Sequence, residues 1–324
     1  MRAIHVTKLE GPESVELVEI DEPAASPDDV VIDVHAAGVA FPDALMSRGL
    51  YQYKPELPFV PGGEVSGIVR TAPEGALVKA GDRVAALTAL GSGMAEVAVV
   101  PSILAFPLPD SVPMAAGAGL LFNDLTMDFA YNVRGRLQEG DTVLVHGAAG
   151  GIGTSALRLA PAFGAARTIA VVSTEEKAEV ARAAGANDVV LVDGWLDKVK
   201  ELTDGQGVDI VVDPVGGDRF TDSIRSLRRG GRVLVLGFTG GDIPTVKVNR
   251  LLLKNVEVIG VGWGDWWMHD RTLLAKQWER IEPLLAAGTI PAPETSTYPL
   301  GEAGAAIAAL ENRGALGKVV LEVR

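Results

Sequence analysis

The twelve residues 142–153, TVLVHGAAGGIG, constrain this chain more than any others. Thr142 to His146 is a short β-branched and apolar run, of the kind found in strands buried on both faces of a parallel sheet. Glycines at 147, 150, 151 and 153 then impose a tight turn, and 152–163 continues with helical period. Together, strand, glycine turn and helix start make an anion site. Unbonded N–H groups and the positive end of the helix face an approaching phosphate, and missing side chains let it come close. The segment reads as the pyrophosphate loop of a dinucleotide-binding fold, with Gly147, Ala148, Gly150, Gly151, Ile152 and Gly153 around the phosphates. An ordinary glycine-rich βα turn competes with this reading, because glycine spacing alone is weak; the strand before and the helix after favour the nucleotide.

The 324 residues suggest two domains. A net charge of −13, with no basic run, argues against a nucleic-acid partner, whose phosphates need clustered Lys and Arg. Cysteine is absent, which removes disulfides, thiol nucleophiles and every Cys-based zinc site, and suits a reducing compartment. No apolar run approaches the roughly 18 residues that span a bilayer. The N-terminus opens on a strand-like pattern rather than a secretion signal, so a soluble cytoplasmic protein with no membrane contact is expected.

Up to about residue 107 the pattern is one of short strands broken by Gly, Pro and Asp, at 3–6, 15–19, 30–37, 64–69, 83–86 and 96–100. That implies a β-rich, barrel-like domain. The apolar stretch 114–134 has helical spacing and is expected to carry the chain onward as a helix. From 142, strand and helix alternate: strands at 168–172, 189–192, 208–213, 232–237 and 256–261, helices at 175–184, 196–202 and 219–227. Such alternation produces a doubly wound parallel sheet. Helices at 272–287 and 301–312 and a strand at 318–323 follow, and the strand, lacking a βα partner, is assigned back to the β-rich part. Pro161 should kink the first helix of the parallel-sheet region.

This order, with the residues it carries, resembles the quinone oxidoreductase (zeta-crystallin-like) branch of the medium-chain dehydrogenase/reductase superfamily. The segments are AAGVAFPDALMSRGLY (36–51), LPFVPGGEVSGIV (57–69), GDRV (81–84), GAAGGIG (147–153), GVDIVVDPVGG (207–217), GGRVLVLGF (230–238), LLLKNVEVIGVGWG (251–264) and GALGKVVL (314–321). The resemblance implies an α/β protein in which a Rossmann domain (121–262), with its doubly wound parallel sheet, is inserted into a β-rich GroES-like barrel domain (1–120 plus 263–324). The active site would lie in the cleft between them, and two copies would pair through the last Rossmann strand. Zinc-dependent members carry a Cys near position 40 and a His where this chain has Gly63, so no metal is expected. Quinone reductases usually have Asn at the place of Ala40.

An NAD-selective fold ends its second strand in Asp or Glu, which holds the ribose 2′-hydroxyl. Here the residues are Ser173-Thr174-Glu175-Glu176-Lys177, and Ser173 and Lys177 match the family's NADPH positions and suit a 2′-phosphate. On the alternative, Ser173 is only a helix cap and Lys177 a solvated lysine. The resemblance further places Asn123 and Thr126 at the nicotinamide amide and Phe238, after Gly237, over its ribose, and assigns Val215 and Lys318 to the cofactor.

No hydrolase triad is visible, since Gly91-Ser92-Gly93 lacks the nucleophile elbow and the four histidines are scattered. Asp43 and Glu64 read as structural. Tyr51 could donate to a carbonyl that gains charge on reduction, or simply pack beside Tyr53. Trp263, Trp266 and Trp267 could wall a flat substrate or form a packing cluster. Phe41, Tyr51, Asn123 and Trp263 are the expected substrate-lining residues. The resemblance implies an NADPH-dependent, zinc-independent reduction of a small-molecule quinone or enone by direct hydride transfer. An enoyl-CoA or alkenal reductase, or a cofactor-binding protein without useful turnover, are the alternatives.

Overall fold

The β-branched runs of the second half become one six-stranded sheet. Its strands are Thr142–His146, Arg167–Val172, Asp188–Leu191, Val208–Asp213, Leu227–Val235 and Glu257–Gly260. All neighbours are parallel, and the spatial order is third, second, first, fourth, fifth, sixth. The central strands are apolar at nearly every position because helices cover both faces; Val143, Leu144, Val145, Ile210, Val211 and Val212 have no exposed surface. One face packs Leu144, Val171, Val211 and Val233 against Trp195, Val199, Phe220 and Ile224 of the helices Trp195–Leu202 and Phe220–Ser226. The order reverses beside the first strand, and ligands of such sheets bind at the carboxyl ends of the strands flanking that point.

The computed structural model describes residues 1–88 and 91–324. They divide into two units, Met1–Phe122 with Leu274–Arg324, and Asn123–Leu273. The first unit holds a seven-stranded sheet that runs Thr295–Pro299, Lys318–Glu322, Asp29–Gly38, Glu64–Thr71, Arg83–Leu87, Ala105–Pro107, with Val97–Pro101 also on Asp29–Gly38. In Asp29–Gly38 the alternate residues Val30, Ile32 and Val34 are wholly buried and their neighbours half-exposed, the period-two pattern of a strand with one face on the core. Arg2–Val6 and Val15–Glu19 form a separate antiparallel pair.

Three expectations need correction. The stretch 114–134 is not one helix: it breaks into Met114–Gly117, Leu121–Asp128 and a wide turn of helix, Phe129–Gly135. The break falls at Gly117–Gly119, where a Cβ at 117 would meet Leu108 and one at 119 would meet the Lys318 side chain, both at less than 2.8 Å. Residues 263–273, expected with the β-rich part, belong with the parallel sheet, because Trp263–His269 is a helix whose Trp266 stacks on Phe129. The helix Phe41–Ser47 and the strand Thr295–Pro299 were not anticipated at all. Pro161 occupies the final turn of Gly151–Ala162, where the helix ends. Among the described residues no helix is long and apolar enough to cross a membrane.

Candidate active site

Gly147 leaves the first strand with φ near +59°, a conformation that favours glycine, and its backbone faces the Val215 side chain. Gly150 then begins the helix Gly151–Ala162, with no side chain capping the helix start. The first ladder bond is Thr154 N–H to Gly150 O, so the N–H groups of Gly151, Ile152 and Gly153 precede the ladder and face outward from the helix start, while those of Ala148 and Gly150 are taken by Val171 O and Gly147 O. Gly153 serves close packing: a Cβ there would overlap the Gly147 carbonyl oxygen and lie 2.6 Å from the Ala148 Cα. Ala148 is buried and Gly151 and Ile152 are half-exposed, so the loop presents backbone rather than side chains.

The second strand ends at Val172, and Ser173 is exposed immediately after it. The cap of the next helix is Thr174, whose Oγ1 accepts the Lys177 N–H at 3.3 Å. The capping role considered for Ser173 is thus filled by its neighbour, and the Ser173 hydroxyl is left at the strand end. Lys177 is half-buried in the first turn.

After the fourth strand, Asp213 Oδ1 accepts the N–H groups of Val215 (2.9 Å) and Gly216 (2.8 Å). The loop after the fifth strand is zipped to this one: Thr239 N–H and hydroxyl both donate to Pro214 O, Gly240 N–H to Val215 O, and Gly217 N–H to Asp242 O. Phe238 lies so close over Gly216 that a Cβ there would come 2.9 Å from its ring, yet it remains partly exposed. Gly237 abuts Pro214 O. Asn123 is buried with its amide directly over Gly151, 2.7 Å from where a Cβ would stand. Its neighbour Asp124 accepts Ser155 Oγ and both Arg158 guanidinium nitrogens (2.6–3.0 Å), a buried bidentate pair that locks the Asn123 helix onto the glycine-loop helix. Thr126 is half-buried on the same helix. The structure therefore gathers Asn123, the glycine loop, Val215, Gly237 and Phe238 at the carboxyl ends of the first, fourth and fifth strands. Asp213 and Asp124 carry this arrangement and were missed; the Asp-Pro-Val-Gly-Gly run directly after an apolar strand was the available signal.

Trp263 is buried and lies 6.1 Å from the Trp267 ring, while the half-exposed Trp266 meets Phe129 and the Arg134 guanidinium.

In the first unit, Phe41 and Asp43 lie on Phe41–Ser47. Both Asp43 oxygens are occupied, Oδ2 by Ala40 N–H (2.8 Å) and Oδ1 by Gly62 N–H (3.0 Å). Burial nonetheless pushes its carboxyl up to about 6, against the pull of those two bonds and of Lys318, with Glu64 adding to the rise. Glu64 Oε1 accepts Lys318 Nζ at 2.6 Å and Oε2 the Phe122 N–H at 2.9 Å. Lys318, assigned to the cofactor by resemblance, is thus buried in an ion pair. Tyr51 packs half-buried against Val6, Met46 and Phe59, and burial, then Asp43, raise its phenol. Its hydroxyl hydrogen-bonds no described residue. Where zinc-dependent relatives would place ligands, this chain has Gly63 and a Glu64 already bonded at both oxygens. That donor set does not fit a zinc ion, and no cluster of three metal-ligating side chains occurs among the described residues.

Residues 151–280 match the family model described as zinc-binding dehydrogenase, and residues 26–110 that of the alcohol dehydrogenase GroES-like domain. Quinone oxidoreductase-like protein 2 of Rattus norvegicus is 36% identical over 326 residues, which cover 100% of this chain and 92% of that protein. A crystal structure of a probable oxidoreductase from Mycobacterium abscessus superposes with a TM-score of 0.90 at 43% identity, covering 100% of this chain and 99% of that one. Escherichia coli quinone oxidoreductase complexed with NADPH gives a TM-score of 0.87 at 29% identity, with full coverage of both chains. With the glycine loop, the strand order and full-length similarity in agreement, the chain belongs to the quinone oxidoreductase branch of the medium-chain dehydrogenase/reductase superfamily.

Proposed function

We infer that this protein is a zinc-independent, NADPH-dependent oxidoreductase acting on quinones and related conjugated carbonyls. The observation that carries the reading is the uncapped, glycine-rich helix start at 150–153, paired with a second strand followed by Ser173 and no acid. NADPH, when bound, supplies the hydride, and the protein supplies orientation and exclusion of water. The open N–H groups of the glycine loop hold the pyrophosphate, and Ser173 and Lys177 take the 2′-phosphate. Asn123, Thr126, Val215, Gly237 and Phe238 hold the nicotinamide half. Phe41, Tyr51 and Trp263 are assigned to the substrate, with the Tyr51 phenol donating to the carbonyl oxygen that gains charge. The NADPH complex of the Escherichia coli relative supports the cofactor.

The same reading includes a homodimer. The strand Glu257–Gly260 ends the sheet and is paired on one side only, and Val258, Leu252, Leu253 and Met268 near it in sequence are exposed. A cysteine-free chain supports a cytoplasmic setting.

Steady-state turnover with NADPH and with NADH, over a panel of quinones, enals and enoyl-CoA esters, tests the reading before and after prolonged dialysis against a strong chelator. The expected outcome is NADPH-dependent quinone reduction untouched by the chelator. Preference for the CoA esters would move the substrate class, absence of turnover would leave a binding protein, and activity lost with stoichiometric zinc would overturn metal independence.

A further inference from the structure

Two buried polar atoms at the sheet's carboxyl edge lack partners among the described residues, His146 Nδ1 and Asp213 Oδ2. They lie on neighbouring strands. Val143, Leu144 and Val145 face Ile210, Val211 and Val212 in register, so the next residues, His146 and Asp213, are opposite one another, and registered residues of parallel strands share a face. That face is the one covered by Trp195 and the helix Phe220–Ser226: the imidazole and Trp195 rings are perpendicular with centroids 4.8 Å apart, and Nε2 is 2.9 Å from Ser223 Oγ. Both residues are at most 1% exposed. The Arg219 cation acts on each of them.

The distances admit two proton arrangements, because Ser223 Oγ lies 2.9 Å from His146 Nε2 and 3.3 Å from Arg219 O. With the hydroxyl proton on the shorter contact, Nε2 accepts and the neutral ring carries its proton on Nδ1; with it on Arg219 O, Nε2–H donates to Ser223 Oγ and Nδ1 is bare. Burial, with Arg219, lowers the ring to about 3, so it is neutral at ordinary pH. In the first arrangement Nδ1–H is a donor without an acceptor beside Asp213 Oδ2, an acceptor without a donor, so one bridging group satisfies both. A buried group left in that state is costly.

We propose that one buried water joins His146 Nδ1–H to Asp213 Oδ2, and that Asp213 is thereby the positioning residue of the cofactor site. Asp213 acts through the loops it holds. Its other oxygen holds Val215 and Gly216, on which Phe238 rests, while His146 is the last residue before Gly147. The bridge ties the loop that takes the pyrophosphate to the loops that take the nicotinamide half.

The inference rests on the NADPH reading, and the test separates the two. In protein labelled with ¹⁵N-histidine, the His146 ring signals are assigned by their loss in His146→Phe, which keeps the ring against Trp195. The wild type is expected to show the Nδ1–H form throughout the neutral pH range. In Asp213→Asn, Oδ1 can still accept Val215 and Gly216, but an amide donor replaces Oδ2. The water must then donate to Nδ1, and the ring should switch to the Nε2–H form. NADPH affinity, read by fluorescence titration, should fall roughly tenfold in Asp213→Ala, the worth of about one to two hydrogen bonds, with KM for NADPH rising more than kcat falls. An unchanged His146 tautomer in Asp213→Asn overturns the pair, even if Asp213→Ala does not fold. NADPH binding unchanged in a folded Asp213→Ala overturns the positioning role. A wild type that binds no NADPH, with the tautomer switch intact, removes the cofactor reading and the positioning role but leaves the bridge.

Discussion

Lys318 Nζ donates to Glu64 Oε1 at 2.6 Å across 254 positions of sequence, with both side chains all but removed from solvent. Breaking a buried pair from one side leaves an uncompensated charge, which costs about 3–5 kcal/mol, whereas replacing both by neutral groups of like volume can be nearly free. Glu64→Gln and Lys318→Met should each lower the urea midpoint sharply, and the double variant should recover much of the loss. Double-variant stability equal to the sum of the two single losses would count against coupling.

The Asp43 carboxyl holds its proton more tightly in the folded protein, near 6, than at its ordinary value of 3.8. Between those values the folded state binds more protons than the unfolded, so the stability tied to this residue falls as pH rises from about 4 to 6 and is level above. Asp43→Asn gives up one of the two backbone bonds, to Ala40 or Gly62, and should be less stable throughout, but it should lack that slope. Urea midpoints of both proteins across pH 4–7 decide the matter, since other titrating groups cancel in the difference. A constant difference would mean the carboxyl ionises normally.

The parallel-sheet half was legible because its signals are local. A β-branched run, a glycine turn and a helical period sit within twelve residues, and Gly147, Gly150 and Gly153 form the tight turn between strand and helix. The cluster of Asp43, Glu64 and Lys318 was not legible, because its partners come from opposite ends of the chain. Lys318 reads as one more residue of a terminal strand until the pairing of Lys318–Glu322 with Asp29–Gly38 brings it beside Glu64. The break at Gly117–Gly119 escaped for a related reason: apolar spacing continues through it, and only the approach of Leu108 and Lys318 forbids side chains there. Asp213 was seen as motif and not as support, since its role lies in two loops whose zippering no period encodes.

The glycines of the pyrophosphate loop differ in what they tolerate. A Cβ at Gly153 would overlap backbone at Gly147 and Ala148, which cannot yield as a side chain end can, while one at Gly150 would meet only the Gly147 oxygen at 3.5 Å. Gly153→Ala should therefore cost about 1–3 kcal/mol and distort the anion site, with Gly150→Ala close to neutral in melting temperature. Lys177→Ala should weaken NADPH by roughly 1–3 kcal/mol and leave NADH unchanged. Equal losses for both cofactors would remove Lys177 from the 2′-phosphate.

The proposed dimer places a second copy along Glu257–Gly260. An unpaired edge with apolar residues invites pairing, and a twofold partner extends the sheet and closes the assembly. Val258 is 38% exposed, so Val258→Lys should leave the fold intact and set two like charges against each other across the axis. Light scattering at micromolar concentration should give a dimer for the wild type and a monomer for the variant. A monomeric wild type ends the proposal, as does a variant that assembles normally.

Tyr51 decides whether the substrate carbonyl meets a side-chain donor. Its ring packs on Val6, Met46 and Phe59, while its hydroxyl bonds to no described residue. A phenol raised by burial and by the Asp43 charge stays protonated across the working pH range, so it can donate and does not compete as a base. If it donates to the oxygen that gains charge, Tyr51→Phe should lower kcat by at most about 10²–10³-fold, the worth of one oxyanion contact, with KM little changed. If it only packs, Tyr51→Phe should be silent, and Tyr51→Ala should raise KM and loosen the Val6–Met46–Phe59 cluster. Running both variants on quinones and on small enals, beside Trp263→Ala, separates wall from donor. Lost wall area should weaken bulky quinones most, whereas a lost donor should slow every carbonyl alike.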